Sequence, residues 1–529
     1  MLVGYVSDER YLALSNVQFE FARNGFVCAT QSTATGTVRL EIEPGGYRVT
    51  LVKDGFGSKI IDIAIDEERP YHFRLLSDNL MGYAWPKAVR SGDRSEFRVH
   101  SAEAYKLEIW RYGLWKERER LIGWYDEHGP RATVQTTPDG DYSQVGVRWN
   151  EQGYTHPHHK QYVDAPERSG LYYFHAKTVS GKFFSFPWVI APKEPEAKVA
   201  VLASDINWNA YNNFGGRSNY IHPAGLPELP TVNARVELDR YNDPDQIHYK
   251  AEIYPPLSFD RPEPINHVPE HTDVTDPIEG RSACHLAPAE WRLLGWLERE
   301  GFSYDLYSET QFHADTLDLS AYEVLILGPH PEYWTATMYN RLKRWTQQEG
   351  GRLMYLGGNG LNCEVEIGNG THMVVHNGQE VDRIAAGLES RFHTRNESEA
   401  NVLGVVFTDA GIMTGAPFQA IDSSHWVFEG TGLRQGDLFG KACQHERCPG
   451  GASGHETDKI SPSSPENVHL LARGTNPDAG GAEMVIFETV GRGQVFSTGS
   501  INYISSLLVD KHVSLITRNV LTGFLGERD

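Results

Sequence analysis

Four consecutive apolar residues, Val324, Leu325, Ile326 and Leu327, constrain this chain most strongly. A run without polar alternation marks a strand buried on both faces, as in a parallel sheet. It ends in Gly328 and Pro329, and His330, Glu332, Tyr333 and Trp334 follow at once. Ligands of open α/β sheets sit beyond the carboxyl ends of the strands, so this loop is where chemistry is expected. Thr335 is suited to cap the next helix, in which Met338, Leu342 and Trp345 recur at helical spacing up to Gly350. Strand, polar aromatic loop and amphipathic helix make one βα unit. The same side chains could simply cap and pack a turn, and the loop alone does not separate the two readings.

Similar units recur from residue 196 onward. Lys198–Ala203 reads as a buried strand, Leu286–Gly301 as a helix, and Ser303–Tyr307 and Arg352–Leu356 as further strands. Ala400–Thr408, Glu483–Glu488 and the GRGQVFSTGSINY stretch return the chain to the core. The spacing predicts an α/β fold over residues 196–529, a doubly wound, mostly parallel sheet with an insertion from about 365 to 480. Two all-β sandwiches are expected before it. Over residues 1–76, Val38/Leu40/Ile42, Tyr47/Val49/Leu51 and Ile61/Ile63/Ile65 alternate with polar neighbours between Gly-containing turns. That segment is similar to a carboxypeptidase-regulatory or transthyretin-like module. Residues 77–195 read as an immunoglobulin-type sandwich, with strands around Phe97, Tyr105–Trp110, Gly170–Phe174 and Phe183–Ile190.

At 529 residues the chain exceeds what one core supports. A net charge of −21 argues against nucleic acid or an anionic membrane as partner. No apolar run approaches the ~20 residues that span a bilayer, and MLVGYVSDERYLAL lacks the pattern of a secretion signal. Five cysteines suggest no disulfide framework, which together predicts a cytoplasmic protein. His156-Pro157-His158-His159 lies in a charge-rich, Pro-containing context that favours an exposed loop over a metal site. Cys443, His445, Cys448 and His455 do not follow a zinc-ligand spacing. Neither GxGxxG nor a P-loop is present, so no nucleotide or redox cofactor is implied.

The long stretch NWNAYNNFGGRSNYIHPAGLP has no apolar period and is dense in Trp, Tyr, Asn and Gly. Loops of that length are functional or disordered, and the aromatic content favours a ligand-lining role. WNAYNNFGGRSNY, HPEYW and the strand and turn at Leu353–Leu361 occur in one order with GRGQVFSTGS at the far end. Together they resemble the large subunit of N,N-dimethylformamidase and its relatives, over roughly residues 80–525. The resemblance implies a class I glutamine-amidotransferase-like domain after an immunoglobulin-like one. It also implies a mononuclear iron, ferric, held by two tyrosines and a glutamate, which hydrolyses an N,N-dialkyl amide. Some members carry a further lectin-like domain where this chain has a short sandwich, and some require a small second subunit.

On that resemblance Tyr333 is the best-placed iron ligand. Phenolate and carboxylate are hard donors that suit a highly charged cation. Tyr307, closing the second strand beside the third, is the expected second ligand, with Tyr304 in reserve. Glu389 is the expected carboxylate ligand, by alignment with a family pattern of acidic residue, aromatic and Arg. Glu332 competes, although an adjacent residue in extended chain would point away from Tyr333, and so does Glu456. His330 and His393, with Glu332 beside them, are the candidates for proton transfer. Trp208, Tyr211, Phe214, Tyr220 and Asn359 are expected to line the substrate site. Asn359 stands where this architecture would place a nucleophile elbow, and Cys363 lies beyond it with no evident His partner. The reading is an iron-dependent hydrolase of small amides, a homo-oligomer with a possible small subunit. A non-catalytic carbohydrate-binding protein and a cysteine amidase using Cys363 are the alternatives.

Overall fold

The computed structural model describes residues 1–125, 135, 137–149, 161–220, 230, 254–277, 285–378 and 380–527. The His156–His159 stretch lies outside these. Buried apolar side chains form three clusters. In the first, strands Leu2–Ser7 and Tyr71–Arg74 face a four-stranded sheet built from Phe26–Gln31, Gln18–Arg23, Gly45–Lys53 and Gly57–Ile65. Tyr47, Val49 and Leu51 point inward while Arg48 and Val52 face solvent, the period of two that the sequence shows. The second cluster lies between a five-stranded sheet containing Tyr105–Tyr112, Gly170–Thr178 and Phe183–Ala191 and a three-stranded sheet around Arg94–His100.

The third and largest cluster surrounds a nine-stranded sheet. Its order is Asp305–Ser308, Val199–Ala203, Val324–Leu327, Arg352–Tyr355, Gln494–Ser497, Glu483–Glu488, His469–Gly474, Phe418–Ala420, Leu438–Phe439. The first five strands are parallel and the last four antiparallel. This overturns the expectation of a doubly wound parallel α/β fold: the chain is predominantly β, and most of its strand pairs are antiparallel. The physical reason lies in the connections. A parallel pair needs a crossover of a dozen or more residues, usually a helix. Among the described residues only Ala287–Glu300, Ala336–Gln348 and Lys511–Phe524 exceed ten residues in helix. The segment read as an insertion instead contributes three sheet strands through hairpin-type pairing. Ala400–Thr408 is also not one strand: Ala400–Leu403 is a helical turn and Val406–Thr408 pairs with Thr457–Lys459 outside the large sheet.

The βα unit at the centre does form. Val324–Leu327 is wholly buried, Thr335 accepts a hydrogen bond from Met338 N, and Met338, Leu342 and Trp345 face the core. Beyond the carboxyl end of Val324–Leu327 a second, four-stranded sheet begins. Tyr333–Trp334 pairs in parallel with Cys363–Gly368, which pairs with His372–His376 and then Leu257–Ser258. This small sheet is the scaffold of the site described below.

Several carboxyls are buried in the fold. Burial pushes Glu290 up to about 8, against hydrogen bonds from Trp208 Nε1 and Ser204 N that hold it down. Burial likewise pushes Glu399 up to about 8 and Asp458 up to about 7. Such groups keep protons in the folded chain that the unfolded chain has released. Their stabilising contribution is complete below an ordinary carboxyl pKa of about 4 and is lost as pH rises through 7 to 8. The melting temperature should therefore fall between pH 6 and pH 8.5, and Glu290→Gln should flatten that slope in a thermal melt series.

Candidate active site

Three of the four donors that reach Glu332 come from outside its own turn. Glu332 is 2% exposed, and burying a carboxylate is costly unless it is hydrogen-bonded and paired. Tyr211 donates to Oε2 at 2.8 Å and Tyr220 to the same atom at 3.3 Å. Arg391 Nη2 donates to Oε1. His330 Nε2 stands 3.3 Å from Oε2 and 3.1 Å from Glu456, bridging two carboxylates.

From Glu332 the bonds close into a ring. Tyr333 donates to the Tyr220 hydroxyl at 3.0 Å and accepts from Asn219 Nδ2 at 2.9 Å. Asn219 and Asn377 exchange amide hydrogen bonds of 3.2 and 3.1 Å. Arg391 Nη1 donates to Asn377 Oδ1 at 3.0 Å, and its other nitrogen completes the circuit at Glu332. The guanidinium also lies 5.8 Å from the Tyr333 ring centroid. Adjacent residues Glu332 and Tyr333 thus converge on Tyr220. Alternation fails here because the strand is only two residues long, and Glu332 precedes it.

Behind the ring sits the turn after Arg352–Tyr355. Asn359 has φ +50, a conformation Asn tolerates better than most residues. Its backbone N–H donates to Asp458 at 2.7 Å, and its Nδ2 donates to Glu456 at 2.8 Å. Its Oδ1 accepts from Asn362. Burial would raise the Glu456 carboxyl, but the attraction of His330 outweighs it, aided by His455 and Asn359, and holds Glu456 well below the ordinary range. His330 Nδ1 meets His285 Nδ1 at 3.0 Å. Burial first, then the neighbouring Glu332, push the Tyr333 phenol far up. A phenolate there requires a cation beside it.

Three oxygens are the candidates to hold such a cation: the Tyr333 and Tyr220 hydroxyls and Glu332 Oε2. They follow one another at 3.0 and 3.3 Å. Adjacent ligands of an octahedral ion with bonds of about 2.0–2.1 Å stand about 3 Å apart, so the donor set fits a hard ion. Among the described residues no group of three or more His, Cys, Asp or Glu is arranged for a metal, so an ion here depends on phenol oxygens.

Other expected residues lie elsewhere. Val199–Ala203 inserts between Asp305–Ser308 and Val324–Leu327, so Tyr307 does not stand beside the third strand. Two strand spacings of about 4.8 Å separate the strands. Its hydroxyl shares a 2.9 Å bond with Tyr322, which donates to Asp305. Tyr304 bonds Glu298 and Arg111. Glu389 accepts from Ser398 and from Ser463 N, and His393 accepts from Glu389 N; none of these bonds reaches Tyr333. Trp208 is bonded to Glu290 within the core, on a helix, Asp205–Tyr211, that replaces the start of the expected loop. Phe214 packs on Tyr142 in the second cluster. Tyr211, Tyr220, Asn359, His330, Glu332 and Tyr333 are brought together. Asn219, Asn377, His285 and Arg391 join them; Asn219 and Arg391 lay in stretches that had drawn notice, but neither was singled out.

A family model described as N,N-dimethylformamidase beta subunit-like, C-terminal, matches residues 107–514. The chain belongs to that family. An N,N-dimethylformamidase beta subunit of Paracoccus aminophilus is 24% identical over 95% of this chain and 75% of its own length. One from an Alcaligenes species is 24% identical over 71% of this chain, which spans 58% of that relative. The expectation of an amide-hydrolase family therefore holds. A ThuA-like protein of Bacteroides uniformis aligns over 47% of this chain and 89% of its own at 12% identity, with a TM-score of 0.29, too distant to carry an argument. Among the described residues no helix is long and apolar enough to cross a membrane.

Asn359 offers a test of the turn. Asn359→Gly removes the side-chain bonds but keeps a residue at ease with positive φ. Asn359→Ala should be less stable than the Gly variant by about 1 kcal/mol in urea unfolding, because its Cβ opposes that backbone.

Proposed function

We propose that the chain hydrolyses the C–N bond of a small N-alkyl or N,N-dialkyl amide, such as N,N-dimethylformamide, to a carboxylate and an amine, with one ferric ion as cofactor. The observation that carries this reading is the convergence of two phenols, Tyr333 and Tyr220, on the buried Glu332 carboxylate in a chain of this family. Those three residues would hold the ion. The chemistry it supplies when bound is polarisation of an amide carbonyl and acidification of a water molecule.

The rest is work for the chain's own groups. Tyr211 fixes Oε2 of Glu332 from the side opposite Arg391's hold on Oε1, so the carboxylate keeps one orientation. His330 carries a proton at Nε2 between Glu456 and Glu332, and that proton is positioned for delivery to the departing amine. The proton released by the attacking water replaces the one His330 gives up, and Glu456, kept ionised, steadies that imidazole. The rings of Tyr211 and Tyr220, 4.7 Å apart, form an apolar wall beside these groups that suits N-methyl substituents better than N–H. A nucleophilic role for Cys363 finds little support. Its thiol is buried, its near neighbours are the His376 carbonyl and the Asn377 amide, and burial pushes it up to about 12. The proposed assembly is a homo-oligomer with a small second subunit.

Tyr333→Phe and Tyr220→Phe should each lower the iron retained by protein purified without chelator and abolish hydrolysis of N,N-dimethylformamide. A visible phenolate-to-iron band should weaken in both. Iron and turnover surviving in both variants would overturn the site. Cys363→Ala should keep most of the hydrolytic rate; a thousandfold loss with iron intact would assign the chemistry to the thiol.

A further inference from the structure

Half of the hydrogen-bonded ring consists of residues that would touch no ion. Arg391, Asn377 and Asn219 run from Glu332 Oε1 round to the Tyr333 hydroxyl. We propose that Arg391 is a positioning residue: its guanidinium fork sets the directions of the Glu332 carboxylate and, through the two amides, of the Tyr333 phenol. The proposal rests on the iron-site reading above and adds the device that pre-forms it.

Three observations support it. First, Arg391 spends its two terminal nitrogens on different arms. Nη2 takes Glu332 Oε1, which leaves Oε2 to Tyr211, Tyr220 and His330. Nη1 takes Asn377 Oδ1, so the Asn377 Nδ2 faces Asn219 Oδ1 and the Asn219 Nδ2 faces Tyr333. Each amide is thereby fixed in one orientation, and Tyr333 must direct its own proton to Tyr220. A planar fork can hold two acceptors at set angles, whereas an ammonium on a flexible stem cannot.

Second, the backbone under Arg391 is tied to the turn that carries Asn359. Arg391 N donates to Asn362 Oδ1 at 3.4 Å and Phe392 N to Asn362 O at 2.6 Å, while Asn362 Nδ2 bonds Asn359. Ser390 is held by Glu399 at 2.6 Å. The guanidinium therefore reaches the site from a fixed base. Third, the side chain is 26% exposed against 3% for Glu332. Arg391 closes the ring on its solvent side, so a small guanidinium in solution can reach the space that truncation would leave.

The test measures iron as well as turnover, on the full chain purified without chelator. Arg391→Ala should bind iron at least about tenfold more weakly, the usual effect of removing a group that orients a metal ligand. Its metal-free form should still unfold cooperatively, at a melting temperature lowered by the loss of the donor to Glu332 Oε1, and added methylguanidinium should restore part of the bound iron. Unchanged iron affinity in Arg391→Ala, or a loss of iron that methylguanidinium leaves untouched, would overturn the positioning role. Should Arg391→Ala fail to fold, Arg391→Lys, which keeps the charge and loses the fork, should still show weakened iron binding, and full affinity there would overturn it equally. An unaltered chain that binds no iron would bring down the iron reading and this proposal together. An unaltered chain that binds it, with variants that bind it as well, brings down the positioning role alone.

Discussion

The site depends on one buried charge. The Glu332 carboxylate sits in the core with a few per cent of its surface exposed, and such a group is tolerated only with its oxygens occupied. Two phenols, a guanidinium and an imidazole meet that demand. Three of the four donors come from outside the HPEYW turn, so the carboxylate acts as the knot at which the helix Asp205–Tyr211, the loop ending at Tyr220, that turn and the segment around Arg391 are joined. Removing Arg391 would leave Oε1 desolvated and without its donor, a penalty of about 1–3 kcal/mol and more for a charge.

The supporting architecture follows from that knot. Arg261 is fully buried and gives its guanidinium to the carbonyls of Ser258, Phe214 and Asn209, so it clamps the aromatic segment from beneath. Burial draws this guanidinium down to about 10, against the pull of Glu263. Arg74, from the first sandwich, donates to Gly215 and Gly140 and lies over the Tyr142 ring. Arg98, from the second, meets Asp260. The β modules that precede the large sheet therefore touch the same loop that delivers Tyr211 and Tyr220. Their contribution to the site is mechanical: they hold a chain segment with little regular structure in one conformation. The small sheet of Tyr333–Trp334, Cys363–Gly368 and His372–His376 does the same for Tyr333 and Asn377.

Much of the local structure was legible beforehand. The apolar run at Val324–Leu327, the cap at Thr335 and the helix to Gln348 obey short-range rules that act within a few residues. The HPEYW and WNAYNNFGGRSNY motifs lie in two loops that folding brings together, and Tyr211, Tyr220 and Tyr333 do meet. The architecture was misread where connection type mattered. Buried apolar runs look alike in parallel and antiparallel strands, so Glu483–Glu488 and His469–Gly474 carried no sign that hairpins, and not helices, would join them to the sheet.

The sequence by itself determined many of the strands and helices, though not Asp205–Tyr211 or Ala400–Leu403, which loop holds polar aromatic residues at a strand end, and which family the chain resembles. It did so because periodicity, capping and motif spacing are encoded among neighbours in the chain. Only the tertiary structure decided which residues share the site. Strand order placed Val199–Ala203 between two strands that sequence order suggests are neighbours, and so removed Tyr307 from Tyr333's reach. Folding also brought Asn219 and Asn377 together across 158 positions and Arg391 to Glu332 across 59. No local rule reports pairings over such separations, because they are fixed by the one packing that gives a buried carboxylate all of its donors.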